Sequence, residues 1–246
     1  MITASVTGMV LSAMPIGDYD KRLVILTKER GKIAVFAKGA RRQNSAFLAC
    51  SQPFSFGEFM LYEGKNSYNL VSVDITNYFD ELRRDLEAAY YGMYFCELTD
   101  YFTHENEDGT YALKLLYQSL RALTQKSIKR PLVKSIFELK LIAVNGLAPQ
   151  VFSCVKCGKT DSFSYFNKEA GGMLCNSCKE KSAGSVKISA ATIYTMQYII
   201  SSSIGKLYTF TVSQEVMSEL KVCVESYIGL YIDKKMKSLD LLKKLF

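Results

Sequence analysis

The sequence predicts an α+β chain of several domains, in which a small N-terminal β-barrel is followed by an α-helical domain with an inserted cysteine-rich module. Three observations support this fold class. Short apolar runs separated by turns fill the first 80 residues, apolar residues at helical spacing follow them, and two Cys-x-x-Cys pairs interrupt the helical part. The predicted boundaries are 1–80 for the barrel, 81–150 with 183–246 for the helical domain, and 151–182 for the cysteine module.

The barrel is predicted from five apolar runs with strand-like length. Lys28–Lys32 and Glu63–Asn66 are the clearest turns, because each places a glycine between two such runs. Five short strands favour the OB-fold, a five-stranded barrel that often binds single-stranded nucleic acid, although another small barrel such as an SH3-like one has a similar strand count. The predicted strands are Thr3–Ser12, Arg22–Thr27, Ile33–Ala37, Phe54–Tyr62 and Ser67–Ile75.

Helices are predicted wherever apolar residues recur every three or four positions after residue 80. The first of them is rich in Tyr and Phe, and we interpret these rings as core packing rather than as a base-stacking surface. The predicted helices run over Asp85–Phe102, from an N-cap at Thr110, from Pro131 to a stop at Asn145–Gly146, from an N-cap at Ser189 to Ile200, and from Ser213 or Gln214 to Phe246.

Two cysteine pairs, Cys154-x-x-Cys157 and Cys175-x-x-Cys178, are separated by 17 residues. Thiolates two residues apart can bind one tetrahedral metal ion, and a loop of this length lets the second pair complete a four-cysteine zinc site. Gly158 follows the first pair, where a metal knuckle needs a residue that tolerates positive φ. Four protein ligands close the shell, so the sequence predicts one structural zinc ion without a catalytic role. The alternatives are two disulfides or free buried thiols.

Cysteine usage also predicts the compartment. The chain has 7 cysteines, an odd number, and its first residues lack the basic and apolar regions of a signal peptide. Its apolar runs are shorter than the ~20 residues of a membrane span. A reducing cytoplasmic compartment without membrane attachment is therefore expected, and there Cys-x-x-Cys pairs are more often metal ligands than disulfides. The other cysteines, Cys50, Cys96 and Cys223, have apolar neighbours and are predicted to lie in the core.

Positive charge is concentrated in one short segment. Residues 21–42 contain eight Lys or Arg and one Glu, so this segment alone equals the net charge of +7 of the whole chain. A concentrated basic stripe within predicted strands favours binding of nucleic acid, whereas an ordinary solvated surface is the alternative. The predicted nucleic-acid-binding residues are Lys21, Arg22, Arg30, Lys32, Lys38, Arg41 and Arg42.

The sequence does not contain a convincing catalytic constellation, and we predict that the protein is not an enzyme. His104 is the only histidine, and the chain lacks the glycine-rich phosphate loop of ATP-binding proteins. Asp18 and Asp20 form a carboxylate pair, but they are interpreted as a solvated entry to a strand.

Two segments resemble the RecO family of bacterial DNA repair and recombination mediators. The first is Lys38-Gly39-Ala40-Arg41-Arg42 with Ser45 after the third strand. The second is the helix end Phe137–Pro149, which runs directly into Cys154-x-x-Cys157-Gly158. The resemblance covers essentially the full length of the chain, and the Gly-x-x-Pro segment ahead of the first cysteine pair is specific in that combination.

The resemblance implies an OB domain, a helical domain and a zinc module that act in DNA recombination after DNA damage. It implies binding of single- and double-stranded DNA, annealing of complementary strands, and cooperation with RecR to load RecA onto DNA coated by single-strand-binding protein. It also implies recognition of the acidic C-terminal tail of that coating protein, in the cytoplasm at the nucleoid. Basic residues of the helical domain are predicted to bind this tail, namely Arg121, Arg130, Lys134 and Lys140.

Three other classes of function remain open at the level of sequence. A zinc-ribbon module for RNA binding or transcription would prefer RNA to single-stranded DNA. A fragment of a nuclease or ligase would cleave or join DNA with a divalent metal, although the chain lacks the acidic cluster of such enzymes. An interaction scaffold would use the basic segment to dock an acidic protein tail without binding DNA.

Overall fold

The predicted N-terminal barrel is present and closed in the computed structural model, which describes residues 3–64, 67–180 and 182–245. Its strands are β1 (Thr3–Ile16), β2 (Asp20–Thr27), β3 (Gly31–Ala37), β4 (Phe56–Glu63) and β5 (Tyr68–Asn77). The strand order is β1-β2-β3-β5-β4, and β4 returns to pair with β1. This closed, OB-like barrel confirms the predicted fold class.

Alternating burial along the strands forms the barrel core. In β3, Ile33, Val35 and Ala37 are buried, and Leu23 and Ile25 of β2 join them in the same apolar cluster. β2 and β3 pair antiparallel from Lys21 opposite Ala37 to Thr27 opposite Gly31. The predicted turn at Glu63–Asn66 lies partly outside the described residues, because Lys65 and Asn66 do not belong to them.

Helices and a small sheet follow the barrel. The helices are α1 (Asp80–Arg84), α2 (Leu86–Phe102), α3 (Thr110–Leu123), α4 (Arg130–Val144), α5 (Asn176–Lys179), α6 (Ala190–Ser201), α7 (Gln214–Ile228) and α8 (Lys237–Leu245). The small sheet has the order β7-β6-β8 and consists of β6 (Phe163–Asn167), β7 (Gly172–Cys175) and β8 (Val186–Lys187).

Most predicted helix starts are confirmed by side-chain caps. Ser189 accepts a hydrogen bond from the backbone N–H of Thr192, and Ser213 accepts one from that of Val216. The prediction of Thr110 as an N-cap is wrong by one position. Gly109 occupies the cap, and the side chain of Asp108 accepts from the backbone N–H of Thr110 instead.

The aromatic-rich helix α2 packs as predicted. Tyr91, Tyr94, Phe95 and Phe102 are buried on it, and ring contacts join Phe95 to both Tyr91 and Tyr94. These rings therefore build the core of their unit and do not form a base-stacking surface.

The prediction of one long final helix is wrong. α7 ends at Ile228, and α8 begins only at Lys237. The carboxylate of Glu97, far away in the chain, accepts hydrogen bonds from the backbone N–H groups of Lys237 and Ser238 and from the Ser238 hydroxyl. A side chain of α2 thus satisfies donors at the start of α8, as an N-cap residue would do within one helix.

By their internal contacts, the residues divide into two compact units. Met1–Thr124 and Met236–Phe246 form the barrel unit, and Gln125–Lys235 form the cysteine-containing unit. The three-part division predicted from the sequence groups the helices differently, because α1, α2, α3 and α8 belong with the barrel in this division. The three predicted domains and their boundaries therefore remain a prediction.

Candidate metal centre and nucleic-acid interface

The four predicted metal ligands converge on one point. The sulfur atoms of Cys154, Cys157, Cys175 and Cys178 all lie within 4.8 Å of one another, and those of Cys157 and Cys175 are 3.7 Å apart. Zinc–sulfur bonds of about 2.3 Å in a tetrahedron place the sulfurs about 3.8 Å apart. A disulfide needs about 2.0 Å. The observed spacing therefore fits a four-sulfur metal shell, and all four cysteines are free thiols.

Local backbone structure explains why the first pair turns back on itself. The backbone N–H of Gly158 donates to the carbonyl of Cys154 over 2.8 Å, and the N–H of Cys154 donates to the carbonyl of Lys159 over 2.7 Å. Gly158 has φ of +72°, a conformation that side-chain-bearing residues rarely adopt. The N–H of Val155 donates to the carbonyl of Met173, which ties this knuckle to β7.

The second pair continues directly from β7 into α5. Cys175 is the last residue of β7, and Cys178 lies within the one-turn helix α5. The backbone N–H of Cys175 points back to the Cys154 sulfur over 3.4 Å. Cys154 and Cys175 are buried with Leu174, and Phe163 and Tyr165 of β6 pack against this small cluster. The hairpin β6–β7 thus holds both cysteine pairs against one apolar face.

The protonation of the sulfurs favours a cation at their centre. Burial raises the pKa of the Cys154 thiol, but backbone N–H groups of Cys175, Cys157 and Lys156 outweigh this effect and lower the pKa to about 6. A hydrogen bond to the Cys175 sulfur, together with burial, raises the pKa of Cys178 to about 12. The Cys154 sulfur is therefore favoured as a thiolate that can bind a cation, and metal binding would release the protons of the other thiols.

The remaining cysteines are separate from this cluster. Cys50, Cys96 and Cys223 are buried, as predicted, and burial raises the pKa of Cys223 to about 12. Across residues 3–64, 67–180 and 182–245, the four-cysteine cluster is the one group of Cys, His, Asp or Glu side chains with metal-binding geometry.

The hairpin β2–β3 divides the basic segment between two ends of the barrel. Lys28, Arg30 and Lys32 lie at or next to the β2–β3 turn, which we call the turn end. The antiparallel register returns the chain to the start of β2, since Lys21 lies opposite Ala37. The other five basic residues therefore share the opposite end, namely Lys21, Arg22, Lys38, Arg41 and Arg42.

Two of the three cations at the turn end already have acidic partners, namely Arg30 and Lys32, whereas Lys28 is exposed. The Arg30 guanidinium lies 3.2 Å from the Glu63 carboxylate, and it also donates to the Tyr68 hydroxyl over 3.0 Å. These hydrogen bonds, to Tyr68 first and then to Glu63, raise the pKa of Arg30. The Lys32 ammonium lies 3.2 Å from the Asp100 carboxylate. The charges of Arg30 and Lys32, two predicted nucleic-acid-binding residues, are thus partly neutralised within the barrel unit.

The opposite end has four cations with no acidic partner in the part of the chain that the structure describes. Lys38, Arg41 and Arg42 are exposed and Arg22 is half-buried. We call these four residues the basic platform. Lys21 differs from them, because its ammonium donates to the carbonyl and hydroxyl oxygens of Ser51, both over 3.0 Å, and burial lowers its pKa.

The loop between β1 and β2 is bonded to the basic platform. The backbone N–H of Arg41 donates to the carbonyl of Tyr19 over 2.8 Å, and the Arg41 guanidinium donates to the carbonyl of Gly17. The Arg42 guanidinium lies 5.1 Å from the centre of the Tyr19 ring, within the range of a cation–π contact. Sequence reasoning missed Tyr19, because the fold alone brings it beside residues 22 positions later in the chain.

Asp20 is the first residue of β2 and is half-buried, so it lies at a strand entry as expected, and its carboxylate has a structural role as well. Its side chain accepts a hydrogen bond from the backbone N–H of Gly39 over 2.7 Å. Gly39 has φ of +67°, which lets the chain turn sharply after β3 and deliver the next residues to the loop. Asp20 therefore positions the basic platform.

Burial changes the interpretation of the predicted tail-binding residues. Lys134 is only 6% exposed and lies 2.9 Å from Glu138 and 2.8 Å from Glu225. Lys140 is 8% exposed and donates to the carbonyls of Ile200 and Ser202. The expected open basic rim is thus wrong for both lysines, since internal acceptors enclose their ammonium groups. Tail binding stays a prediction that rests on Arg121 and Arg130, which lie in different units.

Comparison with known proteins identifies the class to which this barrel and cysteine cluster belong. The model of the N-terminal region of recombination protein O matches residues 1–79, and the model of its C-terminal region matches residues 83–240. These matches, together with the OB-like barrel and the four-cysteine cluster, define a DNA repair and recombination protein. The chain belongs to the recombination protein O family, RecO, and the resemblance found in the sequence is confirmed.

Relatives with this description align over nearly their whole length. The DNA repair protein RecO of Acetivibrio thermocellus is 35% identical over 97% of this chain and 96% of its own. That of Alkaliphilus metalliredigens is 33% identical over 97% and 98%, and that of Bacillus pumilus is 30% identical over 97% and 95%. Among the described residues, no helix combines the length and apolar character that crossing a membrane requires.

Proposed function

We propose that this protein is a non-enzymatic recombination-repair mediator that binds single- and double-stranded DNA and anneals complementary strands. In this proposal it cooperates with RecR to load RecA onto DNA coated by single-strand-binding protein, in the cytoplasm at the nucleoid. The observation that carries the proposal is the basic platform, a group of four cations without acidic partners at one end of an OB-like barrel, in a chain of the RecO family.

The chemistry of the basic platform suits annealing. Lys and Arg neutralise phosphates and release their counterions, which gives affinity without sequence specificity. An annealing protein must hold two negatively charged strands close together while their base edges stay free to pair. Cations that contact only the backbone meet both requirements.

We further propose that Cys154, Cys157, Cys175 and Cys178 hold one structural zinc ion per chain. Bound zinc would supply cross-linking between the two knuckles and no reactive position, because four protein sulfurs complete a tetrahedral shell. The cysteines themselves are aligned by the hairpin β6–β7 and by backbone N–H groups directed at the Cys154 sulfur. The zinc ion would then stabilise the fold of the cysteine-containing unit.

Strand annealing tests the central proposal. Complementary oligonucleotides, naked or coated with single-strand-binding protein, should anneal faster with the wild-type protein than without it. Arg41→Ala with Arg42→Ala should slow annealing, because two cations of the basic platform are lost. Lys243→Ala with Lys244→Ala is the matched control, since it removes the same charge from exposed positions of α8. The absence of annealing by the wild-type protein, or equal loss in both double variants, would contradict the proposal.

The same protein and oligonucleotides distinguish the proposed function from the other classes of function. Tighter binding to an RNA oligonucleotide than to DNA of the same sequence would indicate an RNA-binding module. Cleavage of DNA in the presence of Mg²⁺ would indicate an enzyme, and we expect none. For the tail, fluorescence anisotropy with a labelled acidic peptide should show weaker binding after Arg130→Glu, whereas Lys134 is unsuitable for this test because its ion pairs are buried.

A further inference from the structure

Tyr19 is an exposed aromatic residue at the centre of the cationic end of the barrel. It lies in the loop between β1 and β2 and is 53% exposed. The Arg42 guanidinium covers one part of its ring at 5.1 Å, so the ring lies directly beside a cation of the basic platform. A single exposed ring is ordinary on a protein surface, so the informative observation is the contact of this ring with a cation of the basic platform.

The surrounding hydrogen bonds hold Tyr19 in place. Its carbonyl accepts from the backbone N–H of Arg41 over 2.8 Å, and the neighbouring Asp20 carboxylate accepts from the backbone N–H of Gly39. The Arg41 guanidinium binds the carbonyl of Gly17 on the other side. These bonds fix the backbone that carries the ring, so less conformational entropy is lost when the ring binds a ligand.

We propose that Tyr19 stacks on a base of single-stranded nucleic acid while the basic platform contacts the adjoining phosphates. This inference rests on the proposed nucleic-acid binding and names the residue that distinguishes single strands from duplexes. An aromatic ring between cations is the arrangement with which proteins bind unpaired bases regardless of sequence. Arg42 strengthens it, since a guanidinium on the ring supplies a cation–π contact and can reach a phosphate from the same position.

Stacking on Tyr19 would favour separate strands over the annealed duplex. Bases in a duplex are stacked on each other and cannot reach Tyr19 without unpairing, so a duplex would keep only the phosphate contacts. Pairing of two strands would therefore remove one favourable contact and help the product to leave. Tyr19 would raise affinity for the substrate strands and leave affinity for the annealed product unchanged.

Three labelled probes test this inference by fluorescence anisotropy: oligo(dT), an abasic oligonucleotide of equal length, and a duplex. The abasic probe keeps the phosphates and removes the bases. Tyr19→Ala should weaken binding of oligo(dT) about fivefold or more, whereas its effect on the abasic and duplex probes should be less than about twofold. Tyr19→Phe should bind like the wild type, because stacking needs the ring and not the hydroxyl. Tyr111→Ala, at an exposed position of α3, is the matched control and should change none of the affinities.

A tryptophan reporter supplies a second measurement that does not depend on loss of binding. The chain contains no tryptophan, so Tyr19→Trp introduces a single indole at the proposed stacking position. Its fluorescence should be quenched on saturation with oligo(dT) but not with the abasic probe. Equal quenching by both probes, or equal loss of affinity for both probes in Tyr19→Ala, would overturn the inference. If the wild-type protein bound none of the probes, the proposed function itself would fail.

Discussion

The two ends of the β2–β3 hairpin carry similar cations that differ in whether carboxylates pair with them. At the turn end, Arg30 is paired with Glu63 and Lys32 with Asp100, at 3.2 Å in each case. At the other end, the basic platform has three exposed cations and one half-buried cation, and none of them has an acidic partner among the described residues. Both ends come from one continuous segment of 22 residues, 21–42, that looks uniformly basic in the sequence.

The number of basic residues in a segment therefore does not measure how many of them are available to bind a ligand. A cation whose field is already cancelled by a carboxylate gains little from a phosphate, because the first partner must be displaced. Lys134 is the extreme case, since it is enclosed by Glu138 and Glu225 and only 6% exposed. Three of the four variants below, which are ordered by expected effect, test the distinction between cations that stabilise the fold and cations that bind a ligand.

Cys175→Ser should have the largest effect and should affect neither end of the hairpin. Loss of one sulfur opens the shell, so zinc content should fall from about one equivalent per chain towards zero, and thermal stability should fall with it. Zinc binding by comparable sites supplies about 10–16 kcal/mol to local folding. Elemental analysis of untagged protein and thermal unfolding measure the two quantities.

Cys50→Ser is the matched control for this prediction. Its buried sulfur donates to the carbonyl of Ala46, a bond that a hydroxyl can replace, and it lies outside the metal cluster. Zinc content should therefore be unchanged in it. Retention of both zinc and stability by Cys175→Ser would show that the cluster is not a metal site.

Lys134→Ala should lower the free energy of unfolding by about 3–5 kcal/mol, because it removes the cation that lies 2.9 Å from the buried carboxylate of Glu138. Urea denaturation measures the change. Lys134→Met with Glu138→Leu should recover much of the loss, since apolar side chains can replace a buried ion pair at little cost. An unchanged free energy of unfolding in Lys134→Ala would contradict the view that this lysine stabilises the fold.

Arg41→Ala with Arg42→Ala should reduce the slope of log affinity against log salt concentration by about 2, one for each lost phosphate contact. Affinity should fall about equally for DNA of different sequence. Titrations at several salt concentrations, with Lys243→Ala and Lys244→Ala as the charge-matched control, measure the slope. An unchanged slope would remove these arginines from the DNA surface.

Arg30→Ala with Lys32→Ala should give the smallest effect on binding, with a salt slope close to that of the wild type. The same variant should lose roughly 0–2 kcal/mol of stability, because partly exposed ion pairs contribute about 0–1 kcal/mol each. Comparison with the Arg41 and Arg42 variant in one salt titration sharpens the contrast between the two ends. A slope change as large as that of the basic platform would show that both ends bind DNA.

Local patterns made much of this structure predictable. The hairpin β2–β3 follows from apolar runs around the Gly31 turn, and the helix α6 follows from its Ser189 cap. The Cys-x-x-Cys spacing predicted that the four sulfur atoms meet at one site, because the spacing of metal ligands can be read from the sequence. The break before α8 could not be predicted, since its capping carboxylate, Glu97, lies about 140 residues away in the sequence.

The order of the parts could be predicted from the sequence: a small barrel, helices, a four-cysteine cluster, and the position of the basic segment. These features depend on periodicity, turn residues and ligand spacing, all of which act over a few residues. The cations that remain available, and the position of Tyr19 beside them, follow from the folded chain, because ion pairs and ring contacts link residues that are distant in the sequence. Electrostatic availability depends on position in space, and the closed barrel sets those positions.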